Sequence, residues 1–333
     1  MFNIFKRFFI FLLLFVTWLD IVKFSVLPVS KIGFSVPIFP QLQINMLKSQ
    51  NDSMVQDALD MTSKELLQYL VPKLSNEDWN VEHIFTDLLS DSEEEVAISM
   101  SLSPDRGILI ILQKLNKSYY LAYYNDNLLP INKLEVLPHK NNKAFLVTCE
   151  DHKEQLGAFC ETNIVKLWKW KEGTLQDVFT ENSHQDIYWL NSWQNPKSSP
   201  QKWYNLNQHL TITYRQDINE LFLITEGKQE FAEALAKSSN LPAPNEFSDL
   251  NSRNINQKYY WDNTWHKFIL NTCSCIHPNN KSTSTVAILK DLDYSLNSLA
   301  SPTNDHMYEV IDNQGNVFSI NSSSVLYISP LNH

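Results

Sequence analysis

The chain has 333 residues, 43% of them hydrophobic, 12% aromatic and 19% charged, with a formal net charge of −10 and only six glycines. Six glycines in this length falls far below the roughly 7% of ordinary proteins, and the glycine-dependent motifs G-x-G-x-x-G, G-x-x-x-x-G-K-[ST] and G-x-S-x-G are absent from the sequence, which argues against phosphate-cradling loops and the hydrolase elbow. An acidic chain without a long basic block also offers no positive face to a polyanion, so nucleic acid is not an expected partner.

In chain order, the first element is apolar. Lys6 and Arg7 precede the run Phe8–Leu19, interrupted only by Thr17. Twelve helical residues span about 18 Å, short of the roughly 30 Å hydrocarbon core and typical of a secretory h-region. A full span continues through Asp20 and Lys23, which sit at i, i+3, to Val29. No small-residue cleavage pattern and no nearby cysteine follow. Residues 1–30 therefore read as an uncleaved signal-anchor, with a cleaved signal peptide of a secreted protein, or a buried N-terminal helix, as the alternatives. The positive residues before the segment place the N-terminus inside and the rest outside. The expectation is a single-pass protein of the cell membrane with its C-terminal domain outside the cytoplasm.

Residues 31–75 read as a connector, with Pro37 and Pro40 breaking any early element. A short helix follows, capped at Thr62 or Ser63, carrying Glu65 in its first turn and Leu66, Leu67 and Leu70 on one side, and stopped by Pro72. From 76 to 333 the pattern is β. Three stretches read as hairpins: Leu109–Tyr124, Val165–Phe179 and Lys258–Leu270. Each is preceded by a leading strand, at Val96–Leu102, Ala144–Cys149 and His209–Tyr214. An insertion near 228–257 reads as helical over Gln229–Lys237. Further strands are expected at Thr285–Leu289, Tyr308–Ile311, Val317–Ile320 and Val325–Ile328, with Asn313–Gly315 as a turn. The fold class is mainly β: antiparallel blade-like repeats, a degenerate or partial β-propeller, behind a membrane helix and a short helical neck.

Cys149 and Cys160 flank a strand–turn–strand and face each other if its arms pair symmetrically, so a disulfide between them is one reading and buried free thiols the other. Cys273 and Cys275 share a strand face and cannot easily bridge. The scattered histidines and the single C-x-C lack zinc spacing.

Immediately before the first leading strand lies Thr86-Asp-Leu-Leu-Ser-Asp-Ser-Glu-Glu-Glu-Val-Ala-Ile98, with Asp87, Asp91 and Glu95 at positions 1, 5 and 9. This stretch resembles the D-L-x-G-D-G-x-x-E-[VI] signature of the FG-GAP/VCBS-like repeats of integrin-type β-propellers and bacterial envelope proteins. The resemblance is close over Asp87–Ile98 and loose over about 65–270. It implies a propeller-like body, a binding or scaffolding role at the envelope, and calcium held by oxygen ligands in the loop. Leu89 replaces a ligand at position 3, and Ser90 and Ser92 replace glycines. An acidic solvated turn without cofactor is the competing reading.

Seven of the nine tryptophans fall between 168 and 265. Trp168, Trp170 and Trp261 read as core or cross-strand residues. Trp189, Trp193 and Trp203 flank the polar loop Asn195–Pro200 and are the surface candidates for ligand binding. No catalytic constellation is visible: Glu150-Asp151-His152 reads as a solvated hairpin tip, and nothing brings carboxylates such as Asp186 and Asp249 together. The sequence thus reads as a non-enzymatic binding or scaffolding module, whose partner is an envelope protein or glycan. A carbohydrate-active enzyme on a propeller-like fold and a structural envelope subunit are the alternatives.

Overall fold

The computed structural model describes residues 37–71, 79–89, 91, 93–139, 144–154, 159–217, 221–236, 240–276, 282–302 and 305–329. The expected signal-anchor lies outside them. Among the described residues, no helix is long and apolar enough to cross a membrane.

Three antiparallel sheets follow one another along the chain. In the first, β1 (Ile38–Pro40) pairs with β5 (Ser118–Leu128), which is followed in the sheet by β4 (Arg106–Leu115), β3 (Glu95–Ser103) and β2 (Asn80–Thr86). Two helices, α1 (Gln41–Met46) and α2 (Asp52–Leu70), lead into it. The predicted cap of α2 is corrected. The helix is capped eleven or twelve residues earlier, where the Asn51 side chain accepts from the backbone of Ser53 and Met54. Thr62 and Ser63 are buried inside it, and Thr62 donates back to the Ala58 carbonyl at 2.7 Å. Its buried Leu66 and Leu67 cover Val96, Ile98, Met100, Ile108 and Ile110, while Ala97, Leu109 and Ile111 face a second core with Ile131, Leu146 and Trp168. Both faces of β3 and β4 are therefore covered. That is why Val96–Ile98 and Ile108–Leu112 are unbroken apolar runs instead of alternating.

The second sheet is an eight-stranded meander in chain order: β6 (Ile131–Leu137), β7 (Phe145–Glu154), β8 (Phe159–Lys171), β9 (Thr174–Leu190), β10 (Lys202–Gln216), β11 (Leu221–Leu235), β12 (Ser248–Asp262) and β13 (Lys267–Ile269). The one-turn helix α3 (Asn191–Gln194) sits between β9 and β10. The expected helical insertion is corrected here, because Gln229–Leu235 continues strand β11. Alternating burial at Leu221, Leu223 and Thr225, resuming at Ala232 and Ala234, together with pairing to both β10 and β12, overrides the apparent helical spacing. The third sheet has the order β17 (Val317–Asn321), β16 (Met307–Asp312), β15 (Thr283–Asp291), β14 (Asn271–Ile276), β18 (Val325–Ser329).

The disulfide reading also fails. The arms of β7 and β8 do not pair Cys149 with Cys160; the register sets Cys149 against Val165 and Cys160 against Glu154. The two sulfurs are thus separated by five ladder positions, about 17 Å at the rise of a strand, and all four cysteines are free thiols.

The middle of the second sheet forks. β9 pairs with β10 only from His184–His209 to Leu190–Trp203. Beyond that rung, β9 stays with β8 and β10 with β11. A bulge at Ser183 starts the divergence. Between the diverging arms lies a core of Phe145, Leu167, Phe179, Leu223, Tyr259 and Phe268.

The link from β15 to β16 straps the third sheet onto the second. Leu296 and Leu299 of the short helix α4 (Leu296–Ala300) pack on Leu206 with Ile187, Trp189 and Phe231. Arg253 donates to Gln229 Oε1 (2.6 Å), to the carbonyls of Asp293 and Ser295, and to Ser298 Oγ (3.0 Å). Gln229 in turn donates to the Tyr294 carbonyl at 2.9 Å. A guanidinium supplies several fixed donors where these carbonyls have lost water. Replacing Arg253 by Met should lower stability by about 2 kcal/mol, since stranded acceptors cost more than the bonds are worth. Urea titration followed by tryptophan fluorescence measures it.

Candidate functional site

Hairpin tips of the first two sheets meet around an open cleft of about 370 Å³. The β2–β3 loop contributes Leu88 and Leu89, and the segment after β6 contributes His139. The β8–β9 hairpin contributes Lys169, Trp170, Lys171, Glu172, Gln176 and Val178, and the β12–β13 turn contributes Trp261, Asn263 and His266. Trp170 stands edge-on to Tyr123, with centroids 6.2 Å apart. Trp261 packs between Phe145 and Phe268, and its indole N–H donates to Asn263 Oδ1 at 2.9 Å. The Lys169 ammonium lies over the Phe145 ring at 4.1 Å, a cation–π contact that fixes its position.

Two of the three described non-glycine residues with positive φ line this cleft, Glu172 at 53° and His266 at 50°. Left-handed backbone in such residues is uncommon and concentrates where loops bind ligands. Burial, followed by the Lys171 ammonium, holds His266 below the ordinary imidazole range, so the cleft's positive charge near neutral pH comes from Lys169 and Lys171. Glu172 is the single carboxylate among the lining residues. The paired carboxylates that glycoside hydrolysis requires are therefore not assembled there. Asp186 on β9 and Asp249 on β12 lie three strands apart, about 14 Å along the sheet.

The predicted tryptophan patch is not a single surface. Trp203 is 0% exposed, edge-to-face with Trp193 at 5.2 Å and in a core with Leu190 and Ala234. Trp189 pairs opposite Tyr204, the residue next to Trp203, and so faces the other side of the sheet, where it stacks on Phe231 at 6.1 Å. Only Trp193, 42% exposed, is on the surface as expected. The reading of Glu150 as part of a solvated tip is likewise corrected: its side chain is buried, 2.9 Å from the Lys166 ammonium and accepting from the Leu129 N–H at 3.2 Å.

In the acidic loop, Glu95 is 0% exposed and its Oε2 accepts from the backbone N–H groups of Leu88 (2.8 Å) and Leu89 (3.1 Å). Its Oε1 has no partner among the described residues. Burial, with the charges of Asp91 and Asp87 added and the two backbone bonds opposing, pushes this carboxyl from an ordinary 4.5 up to about 7. Asp91 accepts from the Glu93 N–H at 3.0 Å and from Gln113 at 3.3 Å. Asp87, Asp91 and Glu95 are not gathered around one point. Among the described residues, the one group of three ligand-type side chains within 4.8 Å is Asp291, Asp293 and His306. There, Nε2 of His306 is 3.1 Å from Asp291 and Nδ1 is 3.0 Å from Asp293. Burial pushes the Asp291 carboxyl up, against the pull of the Asp293 N–H and His306. Asp–Asp–His suits a divalent cation of the zinc or manganese kind. The same geometry sets the His306 ring between two carboxylates at the foot of the strap.

No family model matches the chain, and no curated protein matches it. Sequence reasoning missed the cleft, although both tips carry a signal: Lys169-Trp-Lys-Glu-Gly173 and Trp261-Asp-Asn-Thr-Trp-His266 each place tryptophan beside cationic or histidine residues in a turn.

Proposed function

We propose that the chain is an extracytoplasmic, membrane-anchored binding module on a propeller-like array, and that its ligand is a carboxylate-bearing glycan held in the cleft at the hairpin tips. The observation that carries this reading is the combination of Trp170 and Trp261 with Lys169 and Lys171 in a cleft on a protein of net charge −10. Indole faces suit the apolar face of a sugar ring, ammonium groups suit its carboxylate, and Gln176 and Asn263 supply amide hydrogen bonds to hydroxyls. The resemblance of Asp87–Ile98 to FG-GAP/VCBS-like loops supports the propeller-like part of the proposal, and the apolar run Phe8–Leu19 supports the anchor.

The test is calorimetry with uronic-acid oligosaccharides and their neutral counterparts. Binding of the acidic set is expected, weakened about tenfold by Lys171→Ala, equivalent to about 1.4 kcal/mol, and by a similar factor by Trp170→Ala. Both variants should keep the wild-type circular dichroism spectrum. No heat from any acidic oligosaccharide at millimolar concentration, or equal affinity for the neutral set, overturns the reading.

A further inference from the structure

We propose that His184 and His209 form a transition-metal site that bolts β9 to β10 at the fork of the second sheet. The two residues are directly opposite in register and make the last rung before the strands part. Their Nδ1 atoms are 3.1 Å apart, with ring centroids 4.4 Å apart and the planes tilted by 33°. Two nitrogens bound to one ion at 2.0–2.1 Å, with an angle between 90° and 109°, are separated by about 2.8–3.4 Å. The free protein thus already holds the pair at the spacing a metal imposes.

Six further rungs on one side, Gln185–Gln208 to Leu190–Trp203, fix the strands that carry the two rings, so little order has to be created on binding. The neighbours on β11 leave the site uncontested: Lys228, opposite His209, is paired with Glu230. In the free protein one Nδ1–H donates to the other Nδ1. When an ion enters between them, the donor ring takes its Nε2–H tautomer, and both Nδ1 lone pairs point at the ion with no proton lost from the pair. Imidazole ligands select Zn²⁺, Cu²⁺ and Ni²⁺ over Ca²⁺ and Mg²⁺. Water completes the coordination, because His209 is exposed. The site is distinct from the cleft and independent of its ligand.

The experiment is titration of the full chain with ZnCl2 in a buffer that does not chelate, together with electron paramagnetic resonance of the Cu²⁺ form. One ion per chain is expected at this site, with superhyperfine structure from two equivalent nitrogens. His184→Gln and His209→Gln should each weaken Zn²⁺ by at least about tenfold and remove the two-nitrogen signature. His306→Gln, which disables the Asp291–Asp293–His306 group, should leave both unchanged. The proposal is overturned if millimolar Zn²⁺ gives no binding. It is also overturned if, in the His306→Gln background, Zn²⁺ binding survives His209→Gln, or if His306→Gln abolishes the two-nitrogen signal.

Discussion

Replacing Glu95 by Gln is expected to stabilise the protein at pH 8 and to leave its stability nearly unchanged at pH 4. The Glu95 carboxyl sits at about 7 in the folded protein against 4.5 ordinarily, so folding favours its protonated form. An acid raised on folding contributes stability that is complete below about pH 4.5 and lost as pH rises through about 7. That difference is worth about 3 kcal/mol on its own. Gln keeps the oxygen that accepts from Leu88 and Leu89 and never carries charge. It therefore removes the penalty at pH 8, less the 1 kcal/mol or so of a buried amide N–H without a partner. Ala at the same position strands both backbone donors and should destabilise at every pH. Urea midpoints from pH 4 to pH 8 settle the matter: parallel profiles for wild type and the Gln variant would sink the argument. Calcium adds a second arm. If Asp87, Asp91 and Glu95 close around the ion, a few millimolar calcium should stabilise wild type at pH 8 and leave the Gln variant unaffected.

The loop around Glu95 also shows which features of the chain are legible in its sequence. The entry of the loop into a strand, the three hairpins and the four late strands follow from alternation and turn chemistry, which act over a few residues. Where glycine is scarce another residue must take the left-handed turn position, and in the β4–β5 hairpin it is Asn116, with φ 60°. Asn is not the general solution, because His266 takes the same region, and Glu172 does so without a side chain that favours it. The length of β9 and β10 was not readable. Their paired halves bury Gln208 and, across β11, Gln229, so apolar alternation is interrupted where the sheet is continuous. Those polar residues are tolerated because Gln208 donates to the Asn182 carbonyl and accepts from Gln229, which in turn bonds Arg253 and the Tyr294 carbonyl of the strap, partners brought together from distant parts of the chain. The cysteines and tryptophans misled for a related reason: strand register decides which residues meet, and one step moves a side chain to the opposite face.

Register also explains the largest effect expected of any single substitution, Gly227→Ala. Gly227 pairs with Leu210, one rung past the fork. A Cβ there would stand 1.9 Å from the His209 carbonyl oxygen and 2.9 Å from the Leu210 Cα. Neither obstacle is a flexible side chain. Both are backbone, in a strand held by β11 on one side and at His209 by β9 on the other. Relief requires β10 and β11 to separate where β10 leaves β9, which breaks ladder bonds and opens the core around Leu223 and Tyr259. The expected cost is above about 4 kcal/mol, in the range reserved for backbone strain and lost core packing, and the variant should either fail to fold or lose amide protection throughout β10 and β11. Gly173→Ala provides the contrast. That residue also needs its glycine, at φ 82°, but has nothing within 4 Å, so only the left-handed penalty of about 1–2 kcal/mol applies. Hydrogen exchange and urea titration of the two variants separate the explanations. If Gly227→Ala costs no more than Gly173→Ala, the close approach of β10 to β11 at the fork is not what holds glycine there.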